Sequence, residues 1–423
     1  VGRNNNGSIT NAYATGRVAG GSWYVGGLVG LNQSYGIITN AYATGSVSGG
    51  SYVGGLFGNN DGTVLKSYWD MDTSGKTTGG RGDTAGVTGL TTAQMKTMSR
   101  FSGWDIANAG GSSAVWRIYE GNTYPLLRNF LTPLTVTAND DSKTYDALAY
   151  SGGNGITYSI TSPTLLGSLT YKGTSQGAIN AGSYAITPSG YYSAQQGYDI
   201  SYASGNLAVT RAALSVTANN DSKTYNALAY NGGNGVAFNG FVDGEDSSVL
   251  GGSVAYGGDS QGAINAGTYV ITPSGLTSGN YDISYDDGTL TVNKAPLTIT
   301  ALTNTKTYDG GISAAATPTV GGLQGSDTVT GLSETYDNKN AGTSKTLSVA
   351  TYAVNDGNGG NNYDVTTVDD TTGVINKAPL SVTAQAVKNK KIYDGTTAAA
   401  AIPINGQITS GQLYGTDTIN FIE

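Results

Sequence analysis

The stretch Leu134-Thr135-Val136-Thr137-Ala138 returns three more times along the chain. The later copies, at steps of 80, 83 and 83 residues, read Leu214-Ser215-Val216-Thr217-Ala218, Leu297-Thr298-Ile299-Thr300-Ala301 and Leu380-Ser381-Val382-Thr383-Ala384. Apolar and hydroxyl residues alternate in the first copy, which is the pattern of a β-strand with one face in a core. Repetition at a fixed period indicates modules that follow one another in series.

A shorter repeat occupies the N-terminal part. Asn11-Ala12-Tyr13-Ala14-Thr15-Gly16 recurs 29 residues later at residues 40–45, and residues 24–30 are echoed at 52–58 before a third, divergent copy begins at Gly62. Short runs of Val, Ile, Tyr and Thr between glycines are typical of strands and turns. A unit of ~20–30 residues cannot bury a core alone, so successive units must stack. We expect a parallel β-solenoid, with glycines at corners that need positive φ.

The composition favours folded, strand-rich modules. Charged residues make up 12% of the 423 residues, against ~25% in an ordinary domain, and there are 29 tyrosines. Disorder usually needs high charge and few aromatic residues, whereas tyrosine suits a half-buried pleated surface. The 65 glycines follow no three-residue period, which excludes a collagen helix. We therefore expect an all-β chain.

Charge and missing residue types exclude several function classes. A net charge of −8 argues against binding to nucleic-acid backbones or anionic membranes. The chain has no cysteine, hence no disulfide or thiolate metal site. Because the chain also has no histidine, serine-triad and thiol catalysis in their usual forms are excluded. We assign no catalytic, cofactor-binding or metal-ligating residue, and we expect neither an enzyme nor a cofactor.

The sequence suggests a segment of an exported protein. No stretch approaches the ~20 apolar residues of a transmembrane helix, and the opening residues lack the apolar core of a signal peptide. Residue 1 already lies close to a repeat, and the fourth long module stops about halfway. We expect a secreted, cell-surface location at the outer membrane, to which a cysteine-free chain is suited because no bridge can lock it before export.

Six segments follow from these patterns. They are solenoid repeats at 1–75, a capping region at 76–132, three complete modules at 133–212, 213–295 and 296–378, and a truncated module at 379–423. The capping region holds one helix candidate, residues 91–98, with Thr91 or Thr92 as N-cap. Its large apolar residues would cover the last open coil of the solenoid. A sugar-stacking role for Trp104 or Trp116 is the less favoured alternative to a place in this core.

Each long module carries the same short elements. A Lys-x-Tyr-Asp/Asn motif appears at residues 143–146, 223–226, 306–309 and 391–394, and an Asn-Tyr-Asp type strand appears at 197–202, 280–285 and 362–366. About 80 residues with many short strands suggest a small immunoglobulin-like β-sandwich. The junction Asn293-Lys294-Ala295-Pro296 leaves little slack, so tandem modules should form a semi-rigid rod.

Both repeat types resemble known families. The Gly-Gly-Leu-Val-Gly stretch at 26–30 resembles the GLUG repeat of large secreted bacterial proteins, among them haemagglutinin-like adhesins. The first two modules resemble the MBG type and the third and fourth, with Tyr-Asp-Gly at 308–310 and 393–395, the YDG type; both types recur in filamentous-haemagglutinin-like surface adhesins. In the third module Gly373 stands where the second has Leu290, which makes the packing of that closing strand less certain.

Two short motifs have more than one interpretation. Arg81-Gly82-Asp83 matches the integrin-recognition tripeptide and should lie in an exposed glycine-rich loop, where a plain turn is favoured. Asp70-Met71-Asp72-Thr73-Ser74-Gly75 resembles the first half of a calcium loop. Because Arg81 stands where that loop needs a glutamate, a turn closing the third repeat is favoured.

Acidic clusters and the motif tyrosines receive structural interpretations. The clusters at 140–141, 243–246, 286–287 and 369–370 could in principle serve glycoside hydrolysis, but they fall at turn positions of the modules. The tyrosine of Lys-x-Tyr-Asp/Asn could form a ligand-stacking surface. Its return in every module favours an architectural role.

The sequence as a whole predicts a structural stalk segment of a large bacterial adhesin, a monomeric rod that acts by extension and multivalent contact. Its partner would be a receptor or glycan on a host or neighbouring cell. The alternatives are an array of glycan-binding modules, with aromatic pairs beside a groove on the sandwich faces, and a polysaccharide-processing enzyme on the solenoid, with carboxylates converging along one coil face.

Overall fold

The computed structural model describes residues 1–21, 23–383, 390–397 and 407–419, and it confirms an all-β chain. Helical structure in these ranges is limited to single turns, namely α1 Met71–Ser74, α2 Thr92–Met95 and the 3-10 segments Met98–Arg100, Arg128–Phe130 and Ser247–Val249. The chain divides into two compact units, Val1–Ala212 with Gly279–Tyr281, and Ala213–Ser278 with Asp282–Glu423. Each is described by itself.

The first unit begins with parallel strands that pair between successive repeats, here called the N-terminal stack. Ser8 pairs with Ile37 and Ile37 with Thr63, so equivalent residues lie side by side. The pairing of Ser67 with Val87 extends the stack beyond residue 75, to Leu90. Its strands are β1 Arg3–Asn4, β2 Ser8–Ala14, β3 Val18–Ala19, β4 Val25–Gly26, β5 Val29–Asn32, β6 Ile37–Ala43, β7 Val47–Ser48, β8 Val53–Gly54, β9 Phe57–Asn60, β10 Thr63–Leu65, β11 Ser67–Asp70, β12 Arg81–Gly82 and β13 Val87–Leu90.

A buried asparagine ladder runs through the stack beside its apolar core. The Asn4 amide donates to Asn32 Oδ1 at 2.8 Å, and the Asn32 amide donates to Asn60 Oδ1 at 2.7 Å. The Asn60 amide donates onward to the Asp83 carbonyl at 2.6 Å. Asparagine suits this place because its side chain both donates and accepts, so each repeat satisfies the next.

Glycines in the stack serve mainly close approach. Those with positive φ are Gly75, Gly80, Gly82 and Gly86 near its end, so the expectation of positive-φ glycine corners is wrong for the repeats before residue 75. Among the described residues 1–75 only Gly75 is a positive-φ glycine, and the strained corners carry other residues, such as Tyr24 at φ 60° and Tyr52 at φ 56°. A Cβ on Gly26 would lie 2.3 Å from the Phe57 Cα, and one on Gly55 would lie 2.0 Å from the Trp69 ring. Glycine therefore lets neighbouring repeats pack at backbone distance.

The capping region packs on the flank of the stack, where it contacts the first repeat as well as Leu90 in the last strand. Trp116 Nε1 donates to Asn11 Oδ1 in the first repeat at 3.2 Å, and Trp104 Nε1 donates to the Lys66 carbonyl at 2.7 Å. Both rings belong to a buried cluster with Tyr42 and Tyr68 of the stack. The strands here are β14 Ile106–Ala107, β15 Trp116–Arg117 and β16 Leu126–Leu127.

The expected helix in this region forms but is shorter than residues 91–98. Thr91 is its N-cap, and Thr91 and Gln94 complete a reciprocal capping box. The α-helix ends at Met95, and a 3-10 turn follows at Met98–Arg100. The single-turn helix α1, capped by Asp70, is not predicted from the sequence.

The first module consists of a three-stranded and a four-stranded sheet, and the same arrangement recurs in the second unit. Its opening strand β17 lies between β19 and β22 in a three-stranded sheet, and its closing strand β23 lies between β18 and β21 in the four-stranded sheet β18-β23-β21-β20. Leu134, Val136 and Ala138 are buried, as the alternation predicts. The strands are β17 Thr132–Ala138, β18 Asp141–Thr144, β19 Ile156–Tyr158, β20 Leu166–Lys172, β21 Gly182–Tyr192, β22 Tyr198–Ala203 and β23 Gly205–Thr210.

The second and third modules have the same strand order. Their sheets are β26-β24-β29 with β25-β30-β28-β27, and β33-β31-β36 with β32-β37-β35-β34. The strands are β24 Ala212–Ala218, β25 Asp221–Thr224, β26 Val236–Asn239, β27 Gly251–Gly257, β28 Gly267–Thr277, β29 Tyr281–Asp286, β30 Gly288–Asn293, β31 Ala295–Thr300, β32 Thr305–Thr307, β33 Thr319–Gly321, β34 Thr328–Tyr336, β35 Gly342–Asn355, β36 Tyr363–Val368 and β37 Asp370–Asn376. The described part of the truncated module holds β38 Ser381–Thr383 and β39 Gln407–Ser410, while Ala384 lies outside the described residues.

Gly373 makes room for an aromatic ring. A Cβ at this position would lie 3.1 Å from both the Tyr336 ring and Leu347 Cδ1. Tyr336 is buried, and its hydroxyl donates to the Asn304 carbonyl at 2.8 Å. The closing strand still pairs with β35, with two register shifts. The tyrosine thus takes the core volume that Leu290 fills in the second module.

Candidate functional site

The Lys-x-Tyr-Asp/Asn motif builds a turn from its first and last residues. In the first module Lys143 Nζ lies 2.6 Å from Asp146 Oδ1 and donates to the Leu148 carbonyl at 2.7 Å. Asp146 Oδ1 also accepts from the Leu148 N–H at 3.0 Å, and the Lys143 contact followed by this bond lowers the pKa of Asp146. Asn226 makes the same bond to the Leu228 N–H at 3.1 Å. Either residue fits because the Asx turn needs only the side-chain oxygen.

The tyrosine between them lies at the end of its module. Tyr225 N–H donates to the carbonyl of Asn293, the last residue of the closing strand, at 2.8 Å. Its ring meets that of Tyr363 edge to face, with centroids 5.4 Å apart at 77°. Tyr145 and Tyr281 form the same pair within the first unit, at 5.5 Å and 80°, and Tyr308 pairs with Tyr414 at 5.9 Å and 87°.

A carboxylate and an asparagine complete this contact between the second and third modules. The hydroxyls of Tyr225 and Tyr363 both donate to Asp327 Oδ2, at 2.8 and 2.7 Å. Asn362 Oδ1 accepts from the Ala266 N–H at 2.8 Å, and its amide donates to Asn265 Oδ1 at 3.1 Å. We call Tyr225, Asn265, Asp327, Asn362 and Tyr363 the junction clasp.

Two of its features recur at other places in the chain. In the first unit Asn280 Oδ1 accepts from the Ala181 N–H at 3.0 Å, and the Asn280 amide donates to Asn180 Oδ1 at 3.0 Å. Near the end of the second unit the Tyr308 hydroxyl donates to Asp417 Oδ2 at 2.7 Å. The structure thus brings together three recurring sequence elements that the sequence shows only separately.

Where the first module contacts the capping region, an ion-pair cluster takes the place of a clasp. Gly197 stands where later modules have Asn280 and Asn362, and Asp199 is buried. Asp199 lies 3.3 Å from the Nε of buried Arg117 and also contacts Arg128. The Tyr119 hydroxyl donates to the Tyr198 carbonyl at 2.7 Å. These contacts fix the capping region to the first module.

A groove of about 530 Å³ lies within the first unit, where the stack, the capping region and the first module meet. Three tyrosine rings form a stack along it, because Tyr13 and Tyr42 occupy equivalent places in successive repeats. Tyr42 lies 5.6 Å from Tyr13 at 17° and 6.1 Å from Tyr124 at 18°. Lys96 Nζ lies 5.9 Å from the Tyr124 centroid, and Tyr192 closes the other side.

Asp70 acts as a buried hydrogen-bond acceptor next to this groove. It caps α1 through the N–H groups of Asp72 and Thr73, and it accepts from the Thr92 and Tyr124 hydroxyls at 2.7 and 2.6 Å. Burial, followed by the bond to Asp70, raises the pKa of Tyr124 to about 12. The calcium-loop resemblance at residues 70–75 therefore corresponds to a helix cap, with Asp72 Oδ2 accepting from the Thr92 N–H.

Arg81-Gly82-Asp83 is exposed, but Arg81 and Gly82 lie in the short strand β12 and Asp83 directly follows it. Arg81 pairs with Asn59 and Gly82 with Asn60 in parallel register. The Arg81 guanidinium lies 4.1 Å above the Tyr52 ring, and Asp83 Oδ1 accepts from the Ala85 N–H at 2.8 Å. Both charged side chains are thus engaged within the stack.

The acidic clusters serve local turns and strand contacts. Asp141 Oδ2 accepts from the Tyr150 hydroxyl at 2.7 Å, Asp246 caps a 3-10 turn, Asp286 accepts from the Ser215 hydroxyl, and Asp370 accepts from the Thr372 N–H. Across the described ranges no three carboxylates are grouped so that they could hold a metal ion. Trp104 and Trp116 are buried in the capping core, with centroids 4.8 Å apart.

Sequence reasoning missed both the junction clasp and the groove. The clasp had a signal, since the Lys-x-Tyr and Asn-Tyr-Asp elements return in successive modules together with an Asn-Ala-Gly stretch at residues 180–182 and 265–267. For the groove, Tyr13 and Tyr42 share one repeat position and could be expected to stack. Lys96, Tyr124 and Tyr192 come from distant segments and carry no such signal.

Comparisons with known proteins match three segments of the chain to repeat families. A model of the GLUG motif matches residues 21–48, one of the MBG domain (YGX type) matches 214–291, and one of the YDG domain matches 293–372. A 143-residue stretch, 33% of the chain, is 39% identical to a protein of Evansella cellulosilytica named "Putative Gly-rich membrane protein". The match spans 12% of that relative's length. In the described part of this chain, no helix combines the length and apolar character that crossing a bilayer requires. The chain thus carries a GLUG motif, an MBG domain and a YDG domain, which are typical of surface-associated repeat proteins.

Proposed function

We propose that this chain is a structural stalk segment of a large secreted bacterial surface adhesin, and that its role is to space and present contacts rather than to catalyse a reaction. The observation that carries the proposal is the junction clasp. A tyrosine pair, shared asparagine bonds and a carboxylate hold the second and third modules together where a flexible linker would otherwise let them swing. One residue, Lys294, separates strands β30 and β31.

This function also favours particular folds for the repeats. We propose that the N-terminal stack is a parallel β-solenoid and that each complete module is an immunoglobulin-like sandwich. The parallel register of equivalent residues supports the first assignment. Two sheets per module support the second. The buried cluster that holds Ala218 and Leu290 continues across the junction to Leu297 and Tyr363 of the third module. An experimental structure whose N-terminal strands were not stacked in parallel, or whose modules lacked two sheets packed face to face, would contradict these assignments.

Spin-label distances test the stalk. The chain has no cysteine, so cysteines introduced at the exposed Ser253 and Thr371 place one label in each of the second and third modules. We expect a narrow distance distribution in the full chain, and a broad one after Asp327→Ala releases the two tyrosine hydroxyls. A broad distribution in the parent would contradict a clasped junction.

The adhesin part of the proposal needs cellular tests. Cell fractionation should find the full-length product at the cell surface, and deletion of the segment that corresponds to residues 133–378 should reduce whole-cell adhesion. A cytosolic product, or adhesion unchanged by the deletion, would exclude this role.

A further inference from the structure

The aromatic groove of the first unit has the chemistry of a carbohydrate site. Tyr13, Tyr124 and Tyr192 line it and are half-buried, so each offers ring surface to a bound molecule while being held in place. A pyranose ring has an apolar C–H face that packs on such rings and hydroxyls around its edge that need polar partners. Tyr42 lies fully buried in the ring stack and holds it together.

Polar groups of the groove remain available for a ligand. Within the described contacts, the hydroxyls of Tyr13 and Tyr192 and the amide of Gln196 have no hydrogen-bond partner. Lys96 Nζ likewise has no carboxylate within ion-pair distance among the described residues. Lys96 is the one charged residue in the lining, and no Asp or Glu lines the groove. The lining of the groove thus holds one positive charge, while the Asp70 carboxylate lies behind Tyr124 and accepts from its hydroxyl.

Gln196 lies at the groove in a backbone conformation that several other residues of the chain also adopt. Its φ of 68° lies in the left-handed region, which residues other than Gly, Asn and Asp seldom adopt. A glycine at position 196 would adopt this φ without strain. Strained residues are often found where a side chain must point at a ligand.

We propose that this groove binds a carboxylated pyranose, such as a uronic acid residue of an acidic polysaccharide. Its ring packs against Tyr124 and Tyr192, its carboxylate pairs with Lys96, and its hydroxyls bond to Gln196 and Tyr13. The lysine distinguishes this ligand from a neutral sugar, which would use only the rings and amides.

Calorimetry on the full chain tests the proposal with trigalacturonate and its fully methyl-esterified form, in which each carboxylate is replaced by an uncharged methyl ester. We expect the acid to bind more tightly than the ester. Lys96→Gln should weaken acid binding by about three- to fivefold at low salt and leave ester binding unchanged, as for a partly exposed ion pair. Gln196→Gly should weaken binding of both ligands without lowering the unfolding midpoint, because glycine accepts a positive φ.

Two control variants lie outside the groove. Lys172→Gln removes an exposed lysine of the first module, and Trp23→Ala removes an aromatic ring that is 62% exposed. Both should bind the acid as the parent does. The proposal is overturned if the parent binds neither ligand, if the ester binds as well as the acid, if Lys96→Gln has no effect, or if Trp23→Ala abolishes binding.

Discussion

At the residue scale, one tetrapeptide does two separable jobs. Lys and Asp or Asn close a turn with side-chain oxygens and a backbone carbonyl, and the tyrosine between them reaches the next module. The turn tolerates Asn226 because an amide oxygen accepts as a carboxylate does. Without a carboxylate at this position, burial lowers the pKa of Lys223. The last residue of the motif can therefore change from Asp to Asn while the lysine and the tyrosine keep their places.

Asp327→Ala should loosen the junction between the second and third modules. Two tyrosine hydroxyls lose their charged acceptor, which should cost about 2 kcal/mol of local stability. Hydrogen-exchange mass spectrometry measures this as faster exchange at the Ala295 and Gln324 N–H groups, which donate to Asn362 and Tyr363. Asp364→Ala removes an exposed carboxylate of the same module and should leave both rates unchanged. Equal exchange in both variants would show that Asp327 does not hold the junction.

At the element scale, strands in the stack depend on the asparagine ladder as well as on apolar packing. Asn32 is fully buried and bonds to both neighbouring repeats, so it ties three repeats together. A buried amide that lost these partners would be left unsatisfied in a medium without water.

Asn32→Leu should therefore destabilise the stack by about 2–4 kcal/mol, since it removes the bonds that join Asn32 to the Asn4 amide, the Asn60 oxygen and the Gly36 carbonyl. Urea unfolding followed by tryptophan fluorescence measures this loss, because all four tryptophans lie at or before residue 116. Asn5→Ala, at an exposed neighbour, is the control. Matching urea midpoints for the two variants would contradict a structural role for the ladder.

The ion-pair cluster of Arg117, Arg128 and Asp199 gives a second prediction at this scale. Asp199→Asn leaves buried Arg117 without its counter-charge and should cost about 3 kcal/mol or more, as expected for breaking a buried pair. Asp282→Asn is a matched control, because Asp282 occupies the same position in the second module but is exposed. Fluorescence-detected unfolding of the first unit separates the two variants. If Asp199→Asn unfolds with the parent, the cluster does not fix the capping region.

At the scale of the whole molecule, tyrosines should make the stability of the fold depend on pH in the alkaline range. Six tyrosines have pKa values raised to about 12, namely Tyr124, Tyr150, Tyr158, Tyr225, Tyr230 and Tyr363. Burial is the main cause for five of them, and a hydrogen bond with Tyr191 leads for Tyr158. In the unfolded chain a tyrosine loses its proton near pH 10.

The free energy of unfolding should therefore fall as the pH rises from about 10 to about 12. A raised pKa in the folded state stabilises the fold fully below pH ~10, and this contribution is lost once the unfolded tyrosines ionise. Circular dichroism with tyrosinate absorbance at stepwise pH checks the window, and the chain has no histidine or cysteine to add a neutral-pH transition. Stability that stayed constant across this window would contradict the assignment.

Much of the fold could be predicted from local pattern. The opening strands, the capped turn at Thr91 and the repeat periods follow from side-chain alternation, capping chemistry and identity between copies. The flank position of the capping region could not be predicted. Apolar residues such as Phe101, Trp104 and Trp116 indicate that they cover a surface, but they do not indicate which surface. The corner conformations at Tyr24 and Tyr52 also escaped prediction, since stacking between repeats overrides their local preference.

By itself the sequence determined that this protein is a series of β-rich repeats, because strand periodicity and repetition are local properties of the chain. Only the tertiary structure decided which tyrosines meet. Tyr225, Asp327 and Tyr363 form one clasp, and Tyr13, Lys96 and Tyr192 line one groove, although each set spans over a hundred residues. Contacts of this kind depend on how strands stack and turn, and no local pattern encodes them.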